Sequence, residues 1–304
     1  MSQSMPDPGA GNGRILATPL ARAVAADLGV DLATVTGSGR GARTRRADVE
    51  AAAAPAPAAP AAAPAAAVAQ APVAVDAETE EVPLSAMRRT VARRLVESMQ
   101  STPHFYLTIT VDAEALRGFR ADLNRQLGDE LKVSVNDLIV KACAGLLRTN
   151  PDLNVSWGGD KLLRHRRVHV GIAVALEGGL IVPVIRDADQ KTLTQVAREA
   201  RELIGRAREG KLAAGELGGG TFTVSNLGMF GTDRFTAVIN PPEAAILAVG
   251  AAVAEPVAVD GGVAVRRRMR LTLSIDHRAL DGATGARFLA QLKQVLEQPL
   301  RILA

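Results

Sequence analysis

The stretch 269–282, MRLTLSIDHRALDG, decides how this chain is read. Leu271, Leu273 and Ile275 alternate with Arg270, Thr272 and Ser274, the period of a strand buried on one face. His277 therefore leaves the end of a sheet. Asp281-Gly282 follows four residues later, where a terminal helix over 283–297 begins. An imidazole and a carboxylate thus share one short connection between two rigid elements, a common way to hold a catalytic side chain. With a reference pKa of about 6.5, an imidazole is neutral for much of the time at pH 7 and can accept a thiol proton. A structural histidine followed by an N-cap carboxylate would leave the same HxxxDG pattern, so spacing alone leaves both readings open.

The neighbouring sequence extends this strand and helix into one large domain, 82–304. Ser85 is placed to cap a helix with the apolar stripe Met87, Val91, Leu95 and Met99, which Pro103 ends. A strand over 105–111, a helix over 114–127 and an apolar helix over 136–148 follow. The run 168–175 pairs naturally with 180–185 across Glu177-Gly178-Gly179. A charged amphipathic helix over 193–208 precedes strands at 220–225 and 245–253. Strands and helices interleave, which predicts α/β or α+β architecture.

Before this domain, 52–81 opens with a run almost wholly of Ala, Pro and Val. Repeated prolines block a continuous helix, and such small side chains cannot offset the ordering entropy. The segment reads as a flexible linker. Upstream of it, 14–51 is a small all-α unit. Thr18-Pro19 opens a helix with Leu20, Val24 and Leu28 on one face, Gly29 stops it, and a second helix spans 45–53. At under about 40 residues it suits docking better than catalysis. Residues 1–13 read as disordered.

Of the 304 residues, 47% are hydrophobic but only 3% aromatic, so the core must be built from aliphatic side chains. The single Cys143 excludes an intramolecular disulfide framework. Neither a run of about 18 apolar residues nor a secretory signal is seen, so a soluble cytoplasmic protein without membrane contact is expected. The net charge of +4 is spread among 32 acidic residues and almost no aromatics, which argues against nucleic acid. Gly37 to Gly41 lacks the strand and the Lys-Ser/Thr ending of a phosphate loop. His165 and His169 sit among arginines that would repel a metal, so no metal is expected. His104 reads as structural, and Cys143 as core.

Beyond these residue-level readings, 276–289, DHRALDGATGARFL, resembles the signature of the dihydrolipoamide acyltransferases of 2-oxo acid dehydrogenase complexes. PLSAMRRTVARRL at 83–95, PHFY at 103–106, GGTFTVSNLGMFG at 219–231 and INPPEAAIL at 239–247 resemble its other catalytic blocks. ATPLARAVAADLGVDLATVTGSGRGARTRRADVE, 17–50, is similar to its peripheral subunit-binding domain. The resemblance implies a chloramphenicol-acetyltransferase-like fold, a two-layer mixed sheet with helices. It implies acyl transfer between a dihydrolipoyl thioester and coenzyme A, most like the pyruvate-type enzymes and hence with an acetyl group.

By that resemblance His277 is the general base and Ser225 the oxyanion-stabilising hydroxyl. Asp281 orders the histidine loop by pairing with an arginine, for which Arg88 is the candidate. Arg22 and Arg43 dock dihydrolipoamide dehydrogenase or the 2-oxo acid decarboxylase-dehydrogenase component; Ala26 stands where the family usually has another basic residue. The site lies between subunits of a homotrimer that builds a larger cage. The family's lipoyl domain is expected from another chain or from a domain missing here. A non-catalytic scaffold subunit and a free-standing antibiotic acetyltransferase are the alternatives.

Overall fold

The computed structural model describes residues 15–53, 78–176, 178–259 and 261–303. The expected disordered stretch 1–13 and residues 54–77 of the expected linker lie outside the described residues. The chain divides into two compact units, at Glu81/Val82.

In the first unit, α1 (Pro19–Leu28) packs on α2 (Arg46–Ala53). Thr18 caps α1 by accepting from the Ala21 amide at 3.2 Å, and Gly29 closes it in the left-handed region that favours glycine. Its core is Ala21, Ala25 and Val49. The Asp48 carboxylate gathers the intervening loop by accepting from the Ser38 and Arg45 amides, which hold its carboxyl below the usual range. Gly37 is required there, because a Cβ would lie 2.5 Å from the Ala42 carbonyl oxygen. Arg22 and Arg43 are exposed, and Arg22 donates to the Ile15 carbonyl at 2.7 Å.

The second unit begins with α3 (Ala86–Ser101), β1 (His104–Asp112), α4 (Glu114–Leu127) and α5 (Val135–Thr149). Then come β2 (Val155–Trp157), β3 (Leu162–Arg164), β4 (Val170–Ile172), β5 (Val174–Leu176), β6 (Gly179–Ile181) and β7 (Val184–Ile185). It ends with α6 (Leu193–Arg208), β8 (Phe222–Asn226), β9 (Ala245–Val259), β10 (Gly262–Asp276) and α7 (Gly282–Glu297). One six-stranded mixed sheet runs β1-β10-β9-β8-β4-β7, with β8 parallel to both its neighbours. The fold is mixed α/β, as expected.

Alternation along the strands separates two faces. Leu107, Leu271, Leu273, Ile275 and Phe222 point at the helices; Phe222 meets Phe288 of α7 at 5.8 Å between ring centroids. Gly285 lets α7 settle on the sheet, since a Cβ there would fall 2.6 Å from Leu107. Phe288 is fully buried, and Phe288→Ala should cost about 3–5 kcal/mol in denaturant unfolding. The opposite face carries hydroxyls instead. Thr108 meets Thr272 at 3.0 Å, and Ser274 donates to the Ala237 carbonyl at 2.7 Å, fastening the 232–244 loop over this face. Ser98 of α3 donates to the Ile239 carbonyl at 2.6 Å.

Three features differ from the sequence reading. β9 and β10 run on past the sheet as a two-stranded ribbon, where the expected strands were 245–253 and 270–275. The hairpin of β2 and β3 was not anticipated. The apolar stripe of α3 is covered only in part by its own chain: Met87 and Val91 lie beside Gly179 of β6, yet Met87, Leu95 and Met99 stay 41–53% exposed.

Candidate active site

His277 follows the last residue of β10, and its backbone is fixed from both sides. Its amide donates to the Pro103 carbonyl at 3.0 Å, and the preceding Asp276 amide donates to Ala244 at 2.8 Å. The Phe105 ring meets the imidazole edge-on at 4.9 Å. The ring is exposed, and among the described residues no hydrogen bond engages its nitrogens. A rigid backbone carries an imidazole free to accept a proton.

The turn after it is wound around Asp276, whose side chain is almost wholly buried. Its carboxylate accepts from the Arg278 amide at 3.0 Å and from the Arg278 guanidinium at 2.8–3.3 Å. Its carbonyl accepts from the Ala279 and Leu280 amides. The Asp276 carboxylate in turn pushes Arg278 above its ordinary value. The guanidinium also lies 5.3 Å from the Trp157 ring centroid, a cation–π contact with the β2–β3 hairpin.

Among the described residues the carboxylate–arginine pair within this loop is Asp276 with Arg278. Asp281 caps α7, accepting from the Thr284 amide at 2.6 Å, and that bond holds its carboxyl below the usual range. The unpaired first-turn amides of a helix lie within reach of an N-cap side chain, which accounts for the cap. Arg88 lies in the first turn of α3, where its amide donates to Ser85 at 3.1 Å.

Ser225 is half-buried on β8, on the hydroxyl face of the sheet, paired with Ala248. Ala248 pairs with Thr272, so Ser225 lies two strands across from β10 and five residues short of His277. At about 3.3 Å per residue and 4.8 Å per strand, the two side chains of one chain are on the order of 15–20 Å apart. One copy therefore does not bring them together.

The other histidines are occupied structurally. His104 Nε2 accepts from the Ile239 amide at 3.0 Å, so its Nδ1 carries the proton toward the Thr102 carbonyl. His169 Nδ1 accepts from the Asp187 amide, His165 meets Ser156 at 2.8 Å, and burial lowers both. Cys143 lies in the core, where burial pushes its thiol up. Among the described residues no cluster of His, Cys, Asp or Glu has the makings of a metal site.

Glu243 carried no signal in the sequence, yet it is 4% exposed, and burial pushes its carboxyl up to about 7. A folded-state value above the ordinary 4.5 gives stability that is full below about pH 4.5 and lost as pH rises through about 7. Glu243→Gln, which does not ionise, should therefore gain on wild type by about 3 kcal/mol between pH 4.5 and 8 in denaturant unfolding.

Residues 76–304 match the family model for the 2-oxoacid dehydrogenases acyltransferase catalytic domain, and 15–50 match that for the e3 binding domain. The chain is 43% identical to the dihydrolipoyllysine-residue acetyltransferase component of the pyruvate dehydrogenase complex from Zymomonas mobilis, over 96% of this chain and 67% of that protein. The dihydrolipoamide acetyltransferase of Azotobacter vinelandii, solved in work on the catalytic roles of a serine, a histidine and an asparagine, aligns with TM-score 0.73 and 38% identity, over 77% of this chain and all of that one. A cubic core of the pyruvate dehydrogenase multienzyme complex aligns equally widely, at TM-score 0.72 and 38% identity. The fold, the histidine turn at the sheet end and these matches agree: the chain belongs to the acyltransferase family of the 2-oxoacid dehydrogenases.

Proposed function

We propose that this acyltransferase moves an acetyl group between a dihydrolipoyl thioester and coenzyme A, in the core of a pyruvate dehydrogenase complex. The observation that carries the reading is the exposed His277 imidazole, held by its backbone with no hydrogen bond on its ring among the described residues. It takes the proton of the attacking thiol. The thiolate adds to the thioester carbonyl, and the Ser225 hydroxyl donates to the resulting oxyanion. Collapse expels the other thiolate, which takes the proton back from the imidazolium.

The serine and histidine studied in the Azotobacter enzyme are 52 positions apart, and the histidine and asparagine four. Ser225, His277 and Asp281 keep both intervals. Asparagine is as good an N-cap as aspartate, so the substitution suits a residue that orders the loop by starting α7. Asp281→Asn should then cost far less acyl transfer than Asp281→Ala, measured as kcat/KM with acetyl-CoA.

The separation of Ser225 from His277 within one chain supports a site shared by neighbouring subunits of a homotrimer that builds a larger cage. The exposed part of the α3 stripe, at Met87, Leu95 and Met99, supplies apolar surface for such contacts. Arg22 and Arg43 are exposed on the small unit, where they suit acidic rims of dihydrolipoamide dehydrogenase or the decarboxylase-dehydrogenase component. The lipoyl group reaches the site from a lipoyl domain outside these residues. One cysteine in the chain suits a reducing cytoplasm.

The test is acyl transfer from a panel of acyl-coenzyme A donors to free dihydrolipoamide. Preference for acetyl-CoA supports the reading. Preference for a branched-chain or succinyl donor moves the complex, and inactivity with every donor favours a non-catalytic scaffold.

A further inference from the structure

Against the hydroxyl face of the sheet lies a buried carboxyl, that of Glu243, which the reaction above does not use. We propose that Glu243 is a positioning residue for Ser225, fixing the depth of β8 at which the serine hydroxyl meets the developing oxyanion. The inference rests on the oxyanion role of Ser225 and adds the residue that sets it.

Thr223 and Ser225 are two apart on β8 and share a face, with Cα atoms about 7 Å apart. The Thr223 hydroxyl donates to Glu243 Oε2 at 2.6 Å, with both residues shut away from solvent. Backbone on either side is cut back to admit this pair. A Cβ on Gly220 would lie 2.6 Å from Glu243 Oε1, and a Cβ on Gly171, paired with Thr223 across β4, would lie 2.8 Å from the Thr223 hydroxyl. Asn240 reaches Oε1 only at 3.4 Å, so the threonine hydroxyl is the short contact.

The carboxyl also ties β8 to the other half of the chemistry. Glu243 is followed by Ala244, whose carbonyl accepts from the Asp276 amide one residue before His277. Beyond Ser225, the Asn226 side chain accepts from the Gly228 amide at 2.9 Å and pins the far end of the strand. Ser225 therefore stands between two anchors, and Glu243 is the one that connects its strand to the histidine turn. An apolar side chain at 243 would fill the space but leave a fully buried threonine hydroxyl without its acceptor, which β8 relieves by shifting.

The experiment is a double-mutant cycle on the full, assembled chain, read as kcat and KM for acetyl-CoA and dihydrolipoamide. Glu243→Leu should lower kcat about tenfold with KM little changed, and Glu243→Gln, which keeps an acceptor for Thr223, should recover most of it. In a Ser225→Ala background the same Glu243→Leu change should cost less than about twofold, because the group it positions is gone. Thr223→Val removes only the hydroxyl and gives the same non-additive pattern, so the test stands if Glu243→Leu fails to fold. Equal losses in both backgrounds would show a merely structural role and overturn the inference alone. Wild-type turnover by Ser225→Ala would overturn the inference together with the reading beneath it.

Discussion

Replacing His277 with alanine is expected to lower acyl transfer from acetyl-CoA to dihydrolipoamide by about 10³-fold, within the range for loss of a general base. At neutral pH few coenzyme A or dihydrolipoamide thiols are ionised, so attack depends on a group that removes the proton as the bond forms. His277 is the histidine whose ring carries no hydrogen bond among the described residues, whereas His104, His165 and His169 each spend a ring nitrogen on the fold. The loss should fall on kcat, since the imidazole meets the thiol proton and not the bulk of either substrate. The fold should survive. The turn is held by its backbone and by Asp276 with Arg278, none of which needs the imidazole. The measurement is initial rate under saturating substrates, beside unfolding and sizing of the same sample.

Ser225→Ala is expected to lower kcat by about 10²- to 10³-fold, the usual worth of one oxyanion donor. The substrate carbonyl carries little negative charge and the tetrahedral intermediate a full one, so the hydroxyl binds the transition state better than the ground state. KM should therefore change little. Ser225→Thr would retain the hydroxyl but add a methyl on a half-buried strand face, and a partial recovery would separate the hydroxyl from the space it occupies.

The elements that carry the histidine were legible because their signals are local. Leu271, Leu273 and Ile275 alternate over a buried face, and Asp281 and Gly282 announce the next helix within two residues. The outer halves of β9 and β10 were not, because a ribbon solvated on both faces has no buried side to impose alternation: Val263 and Val265 are exposed there beside arginines. The Asp276–Arg278 pair escaped for a different reason. Arg278 lies in the turn beyond the strand, where the alternation of β10 no longer says which way a side chain points. Glu243 was hidden most deeply. Its burial depends on Gly171 and Gly220 on other segments, which only the folded sheet brings to it. The stripe of α3 was legible as a helix face, but nothing in its spacing told that Met87, Leu95 and Met99 would stay 41–53% exposed.

The central claim is that catalysis needs His277 from one subunit and Ser225 from its neighbour. Chains carrying His277→Ala and chains carrying Ser225→Ala can be unfolded together, reassembled at equal amounts and assayed against each parent refolded alone. Each parent should be nearly inactive, while the mixture should regain about a quarter of wild-type activity, because random assembly pairs an intact histidine with an intact serine at that share of interfaces. A mixture of verified mixed oligomers that stays as inactive as its parents would contradict the account.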